Sequence, residues 1–336
     1  MRRMKMQILF LALYFAPLFA VAQDIHWSQF NDNPIFQNPG QAGNFKGDLR
    51  FVGNHRDQWR SVTVPFQTTS FSMDGRIKKL KNLGVGGLFF HDVVGDGQLR
   101  TAELQLNANL PIYLKKDSSF VIRPGINVGV NQRQLNPQNF NFDNQFNGIQ
   151  YDPTLPTNEI FTTTRRTNFS TGLGAVIDYR VSKKSVVDAG IGFFNLNRPD
   201  QSFFGTKIQR DIRTNIHARY TRKLKTDLFL LPSFNLSLQG KYKEFVLGSS
   251  IKYVLLNHLG QYRAVYAGIW YRTKDAGFVT VGMDYQNWFV GVSYDMNFSK
   301  LTQASNARGG LEIAVRYIYQ SLKPKKIIHR VCPDYI

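Results

Sequence analysis

Alternation with a period of two runs through most of the chain. In the stretch 288–298 (WFVGVSYDMNF), Val290, Val292, Tyr294, Met296 and Phe298 fall on one side, and Gly291, Ser293, Asp295 and Asn297 on the other. In 309–319 (GGLEIAVRYIY), Leu311, Ile313, Val315, Tyr317 and Tyr319 alternate with Glu312, Ala314 and Arg316. Leu104, Leu106, Ala108 and Leu110 oppose Glu103, Gln105, Asn107 and Asn109, and Phe234, Leu236 and Leu238 oppose Ser233, Asn235, Ser237 and Gln239. Successive side chains of a strand point to opposite faces, so each stretch predicts a strand with one apolar and one polar or mixed face. About fourteen such segments are expected, at 48–56, 65–74, 83–94, 98–112, 118–130, 166–180, 184–194, 212–222, 227–239, 244–257, 261–273, 276–286, 288–298 and 309–320, each with ends uncertain by about two to four residues. No segment has a helical period. A strand of about ten residues crosses a bilayer when tilted. The predicted fold is therefore all-β: a closed antiparallel transmembrane β-barrel of about fourteen strands, within about twelve to sixteen.

The connections supply a second pattern. Counted from the first strand, the long loops 131–165, 195–211 and 299–308 are all odd-numbered. Even connections are mostly short, and several carry lysines: Lys78, Lys79 and Lys81; Lys115 and Lys116; Lys183 and Lys184; Lys223 and Lys225. The basic tail with Lys323, Lys325 and Lys326 falls on the same side. Long loops on one side and short turns on the other fit an outer-membrane barrel with N- and C-termini in the periplasm. Gly95-Asp96-Gly97 predicts a tight hairpin. Glycines within 82–87 and 172–174 predict bends or close approaches inside strands. Tyr179, Tyr220, Tyr253, Tyr285, Tyr317 and Tyr319 near the lysine-side strand ends predict an interface girdle.

The N-terminus decides the compartment. Arg2, Arg3 and Lys5 precede an apolar run at 8–21 that contains Pro17, and Ala20-Val21-Ala22 is a small-x-small cleavage site. That is a secretory signal peptide, too short and interrupted for an anchor helix. The expected domains are a signal peptide at 1–22, a periplasmic N-terminal segment or plug at 23–47, the barrel at 48–320 and a basic periplasmic tail at 321–336. The segment 23–47 is rich in Asn, Gln, Pro and Gly and predicts irregular structure. Net charge is +19 over 336 residues. Such a balance suggests nucleic acid or an anionic surface; export excludes nucleic acid. An exported chain without a helical span enters a membrane only by closing its backbone hydrogen bonds between strands. The single cysteine, Cys332, excludes an intramolecular disulfide.

Candidate chemistry is sparse. His26, His55, His91, His217, His258 and His329 show no metal-ligand spacing, and neither GxSxG nor a phosphate loop occurs. No catalytic, metal or cofactor residue is expected. Asp92 and Asp96 flank a turn, where Asp is common for backbone reasons. Asp284 and Asp295 are expected in the lumen, meeting arginines. The stretch 54–60 (NHRDQWR) offers Arg56 and Asp57 as a rim ion pair and Trp59 as an interface anchor, or all three as a partner contact. The basic turns and tail, with Lys78, Lys79, Lys115, Lys116, Lys183, Lys184, Lys325 and Lys326, fit either anionic headgroups or an acidic periplasmic partner.

Several ordered motifs resemble one family. They are His26-Trp27-Ser28-Gln29-Phe30, Asn38-Pro39-Gly40-Gln41-Ala42-Gly43, Arg56-Asp57-Gln58-Trp59, Pro65-Phe66, Ser72-Met73-Asp74, Tyr294-Asp295-Met296-Asn297 with Ser299 and Leu301, Ala304-Ser305 and Gly309-Gly310-Leu311-Glu312-Ile313, together with Cys332-Pro333. In combination they resemble the PorP/SprF outer-membrane proteins of the type IX secretion system of Bacteroidetes. The ending Asp334-Tyr335-Ile336 departs from the Arg-Phe of that pattern. The resemblance implies a non-enzymatic role in export or surface attachment of adhesins and other cargo with a C-terminal secretion domain. It also implies periplasmic ring components as partners and, for some members, gliding motility. A porin or solute channel is the other reading, since inward Gln, Asn and Ser suit a wet lumen.

Overall fold

The structure, a computed structural model, describes residues 24–60, 64–95, 97–115, 119–258, 260–298 and 308–321. The expected signal peptide, Asp96, Lys116, Lys325, Lys326 and Cys332 lie outside the described residues.

Fourteen strands form one up-and-down sheet among the described residues. They are β1 Leu49–Gln58, β2 Phe66–Ile77, β3 Leu83–Val94, β4 Leu99–Asn109 (continued past Pro111 by Ile112–Tyr113), β5 Phe120–Gln134, β6 Arg165–Ser182 and β7 Ser185–Phe194. The second half comprises β8 Arg213–Lys223, β9 Leu228–Gln239, β10 Tyr242–His258, β11 Gln261–Arg272, β12 Ala276–Tyr285, β13 Trp288–Asn297 and β14 Arg308–Tyr319. Each strand pairs antiparallel with its sequence neighbours. β1 pairs with β14 from Leu49↔Tyr319 to Gln58↔Gly310, which closes the sheet. Closure leaves no unpaired edge, as a lipid environment demands.

Alternation sets the two faces. Phe71, Phe89, Leu104, Leu106, Leu247, Ile269, Val281 and Leu311 point outward and are exposed, forming an apolar belt. Asp74, Glu103, Asn127, Glu244, Asp295 and Glu312 point inward and are buried. The two rims differ as the connections predict. One carries the long loops after β5 and β7; the other carries the turns with Lys78, Lys79, Lys115, Lys183 and Lys184. At this lysine rim the predicted tyrosines face outward. Tyr317 packs against Trp288 at 4.6 Å and Phe51 at 6.3 Å, and Tyr179 against Phe120 at 5.5 Å.

The lumen is not empty. Residues 24–48 thread it lengthwise, through a short helix α1 (Pro34–Gln37) flanked by single turns of 3-10 helix at Phe30–Asp32 and Pro39–Gln41. The segment starts near the loop rim, where the Asp24 backbone N–H donates to Gln239 Oε1 at 2.9 Å. It leaves at the lysine rim into β1. The described residues thus begin and end on opposite rims: Asp24 is at the loop rim, while Ser321 meets Asp48 at the lysine rim. The reason is physical. The lumen of so wide a barrel exceeds what wall side chains can fill, and a whole chain segment fills it instead.

Candidate functional site

The plugged lumen is where charge, burial and long-range contacts converge. The plug is held by apolar packing and by polar anchors. Trp27, Ile35 and Phe36 pack with inward-facing Leu88 and Phe90 of β3. Phe30 packs with Val246, Trp270 and Phe278. Each such side chain contributes about 1.5–3 kcal/mol when fully buried.

The strongest polar anchor lies toward the loop rim. Arg56 bridges Asp295 at 2.8 Å and Glu312 at 2.9 Å. Arg272 bridges Asp295 at 2.9 Å and Glu244 at 3.4 Å. Ser28 of the plug sits between the arginines: its hydroxyl donates to Asp295 at 2.8 Å and accepts from Arg272 at 2.8 Å and from Arg56. The two Glu312 carboxylate oxygens accept the backbone N–H groups of Ser28 at 2.7 Å and Gln29 at 3.0 Å. A non-helical backbone inside a membrane protein needs such partners, and here wall carboxylates supply them. Next to this cluster sits the His26 imidazole of the plug, with Nδ1 3.7 Å from Glu244. Its Nε2 lies 3.3 Å from Arg56 and takes a hydrogen bond from it.

Two further anchors fix the ends. At the loop rim Asp24 accepts from Arg210 at 2.8 Å, and Arg210 also reaches Glu103 at 3.1 Å. Arg213 is sandwiched between the rings of Phe36 and Phe194, at 4.1 and 4.3 Å. Toward the lysine rim the Gly43 N–H donates to Asp74 at 2.6 Å, while Arg50 clamps the same carboxylate at 2.7 and 2.9 Å. Gly43 has φ +70°, a conformation that favours glycine. Gln41 and Asn44 donate to Asp188, and Asn38 donates to the Ala175 carbonyl at 3.1 Å. The strand glycines bear out the close approach expected of them. A Cβ at Gly84 would overlap the Ala42 carbonyl oxygen, and one at Gly174 would overlap the Asn38 side chain.

Two cavities flank the plug. One, about 330 Å³, opens toward the loop rim and is lined by His26, Trp59, Phe66, Asp92 and Arg133. The other, about 360 Å³, opens toward the lysine rim and is lined by Asp32, Arg219, Lys252, Tyr266 and Arg316. In the second, Arg316 reaches Asp32 at 2.9 Å and Lys252 reaches Asp284 at 3.3 Å, so Asp284 and Asp295 both meet lumen cations as expected.

The predicted site residues divide. Arg56 and Asp57 do not pair: adjacent strand residues point to opposite faces, so Arg56 is buried in the lumen while Asp57 bonds Arg60. Arg56, 1% exposed, is correspondingly no contact for an outside partner. Trp59 packs on Phe66 at 4.6 Å beside the loop-rim cavity. Lys78 bonds Asp48, Lys115 lies 5.6 Å from the Tyr179 ring centre, and Lys79, Lys183 and Lys184 are exposed at the same rim. Glu103, Asp188, Glu244, Arg272 and Glu312, which hold the plug, were not anticipated; their signal is charge at inward strand positions.

Comparison places the fold among membrane barrels. The chain superposes on the Ralstonia pickettii toluene transporter TbuX with TM-score 0.50 and 12% identity, covering 85% of this chain and 93% of that one. A Pseudomonas aeruginosa FadL homologue gives TM-score 0.50 and 10% identity, covering 86% and 94%. At such identities the likeness concerns the fold alone. No curated protein matches the sequence. The model of the type IX secretion system membrane protein PorP/SprF matches residues 20–317, spanning the plug and nearly all the barrel. With its plug motifs and its wall anchors inside one matched stretch, this chain belongs to the PorP/SprF family of type IX secretion system membrane proteins.

Proposed function

We propose that this barrel is a non-enzymatic outer-membrane component of type IX secretion that assists export or surface anchoring of a partner adhesin or other C-terminal-domain cargo. The observation that carries this reading is the family match over residues 20–317. In it the loop rim faces outward, toward cargo. The lysine rim faces the periplasm, where Lys79, Lys183 and Lys184 meet the secretion ring or anionic lipid. The plug makes the barrel a scaffold rather than a conduit. Deleting the gene is expected to remove one specific protein from the cell surface, measured by surface labelling. Normal display in the deletion strain would count against the reading, and co-purification in mild detergent would name the companion.

The loop rim offers a contact for that companion. Phe140, Phe142, Phe161 and Phe204 form a chain of rings 5.1–6.3 Å apart across two loops. Beyond them Ile149 and Ile160 are 89% and 81% exposed. Apolar side chains standing clear of the membrane mark an interaction surface. The double variant Ile149→Asp with Ile160→Asp is expected to weaken cargo capture by about tenfold or more, measured by pull-down, with the barrel intact. Unchanged capture would remove these loops from the interface.

The alternative reading is a porin or solute channel. The two cavities and the transporter-like fold favour it. A steady current from the intact chain in a planar bilayer would support it over the scaffold.

A further inference from the structure

The outer wall carries a groove on β2–β5. Across these strands Met73, Gly87, Leu106 and Val128 stand opposite one another in one row. Gly75, Val85, Ala108 and Ile126 form the next row toward the lysine rim. Within the groove Gly75, Gly87 and Ala108 carry little or no side chain, between the longer Met73, Ile77, Leu106, Ile126 and Val128. These three leave an apolar depression of about 520 Å³. It cannot fill by inward movement of the wall, because the plug backs it. On the lumen side Ile35 and Ala42 press against Gly86 and Gly84.

At the lysine-rim end, Ile77 of the groove runs directly into the turn 78–82. There Lys79 and Lys81 are exposed and make no hydrogen bond or ion pair among the described residues. Leu80 between them is exposed as well. An apolar slot within the belt, ending under two free ammonium groups at the headgroup level, matches an amphiphile with an anionic head. We propose that the groove binds one anionic phospholipid, an acyl chain lying over Gly75, Gly87 and Ala108 and the phosphate held by Lys79 and Lys81. The inference needs only that the barrel stands in a bilayer, so it survives failure of the secretion reading.

Gly87→Phe tests it cleanly. A Cβ at Gly87 meets nothing nearer than 3.8 Å, so the ring enters the groove without disturbing the wall. The full chain is reconstituted in nanodiscs of phosphatidylethanolamine doped with phosphatidylglycerol, and retained lipid is counted by native mass spectrometry. Wild type is expected to keep one phosphatidylglycerol, and Gly87→Phe to lower that retention by about tenfold. Lys79→Gln with Lys81→Gln should abolish the preference for phosphatidylglycerol over phosphatidylethanolamine. Ile269→Phe, which adds a ring elsewhere on the belt, should leave retention unchanged. Equal retention in Gly87→Phe and wild type overturns the proposal. So does a loss in Ile269→Phe as large as in Gly87→Phe, which marks generic belt lipid. Absence of any retained lipid in wild type, as expected of a slot built for a protein segment, overturns it too.

Discussion

Removing residues 24–44 is expected to turn a silent barrel into a conducting pore. The wall does not depend on this segment for its backbone hydrogen bonds. β1 through β14 pair with one another around the whole circle. What the plug contributes is occupancy. It lays Trp27, Phe30, Ile35 and Phe36 across the lumen and ties itself to the wall near both rims through Asp24, Ser28 and Gly43. Without it, the inward face presents Asn, Gln, Ser, Arg and carboxylate side chains to a channel wide enough for water. In planar bilayers the intact chain should carry no steady current, and the deleted chain should conduct at least about tenfold more. The barrel's heat-modifiable migration and its strand signal in circular dichroism should persist. A folded but silent deletion would mean that the loops close the lumen. Steady current from the intact chain would favour the solute-channel reading.

The strands were readable because their signal is local. Alternation at period two needs only neighbouring residues, and lipid outside with polar contacts inside sharpens it. The loop and lysine asymmetry was equally local, since each connection carries its own length and charge. The plug was readable only as irregular chain. Its partners lie far away in sequence: Ser28 meets Asp295 and Glu312, and Asn38 meets Ala175. The inward polar residues were also ambiguous in kind. Asn, Gln and Ser line a wet pore as readily as they hold a buried segment. The discriminating residues are the apolar ones at inward positions, Leu88, Phe90, Val246, Trp270 and Phe278. In an open aqueous lumen they would stand in water; here they receive Trp27, Phe30, Ile35 and Phe36. Inward charge carries the complementary signal. Asp295 and Glu312 fit an ion-paired lumen, but their pairing with Arg56 depends on β14 closing onto β1, which no local pattern states.

Arg56 is accordingly the wall residue whose loss should be felt most. Arg56→Met keeps much of the side-chain volume and removes the charge. Asp295 retains Arg272, but Glu312 is left with only the backbone N–H groups of Ser28 and Gln29. All three ionic side chains are at most 2% exposed, so water cannot replace the missing guanidinium without opening the plug. Breaking a buried pair by removing one partner costs about 3–5 kcal/mol. Urea unfolding of the reconstituted protein, followed by tryptophan fluorescence, should show a loss of that size. Trp27 and Trp270 report on plug and wall together. Adding Glu312→Gln removes the stranded charge and should recover part of the loss, whereas Arg60→Ala should leave the midpoint in place. Arg60 is 74% exposed and its bond to Asp57 is shared with solvent. If Arg56→Met shifts stability no more than Arg60→Ala, the cluster of Arg56, Asp295 and Glu312 does not anchor the plug. If Glu312→Gln deepens the loss instead of relieving it, the Glu312 contact with Ser28 and Gln29 outweighs the charge imbalance, and the anchor is a backbone cradle first and an ion network second.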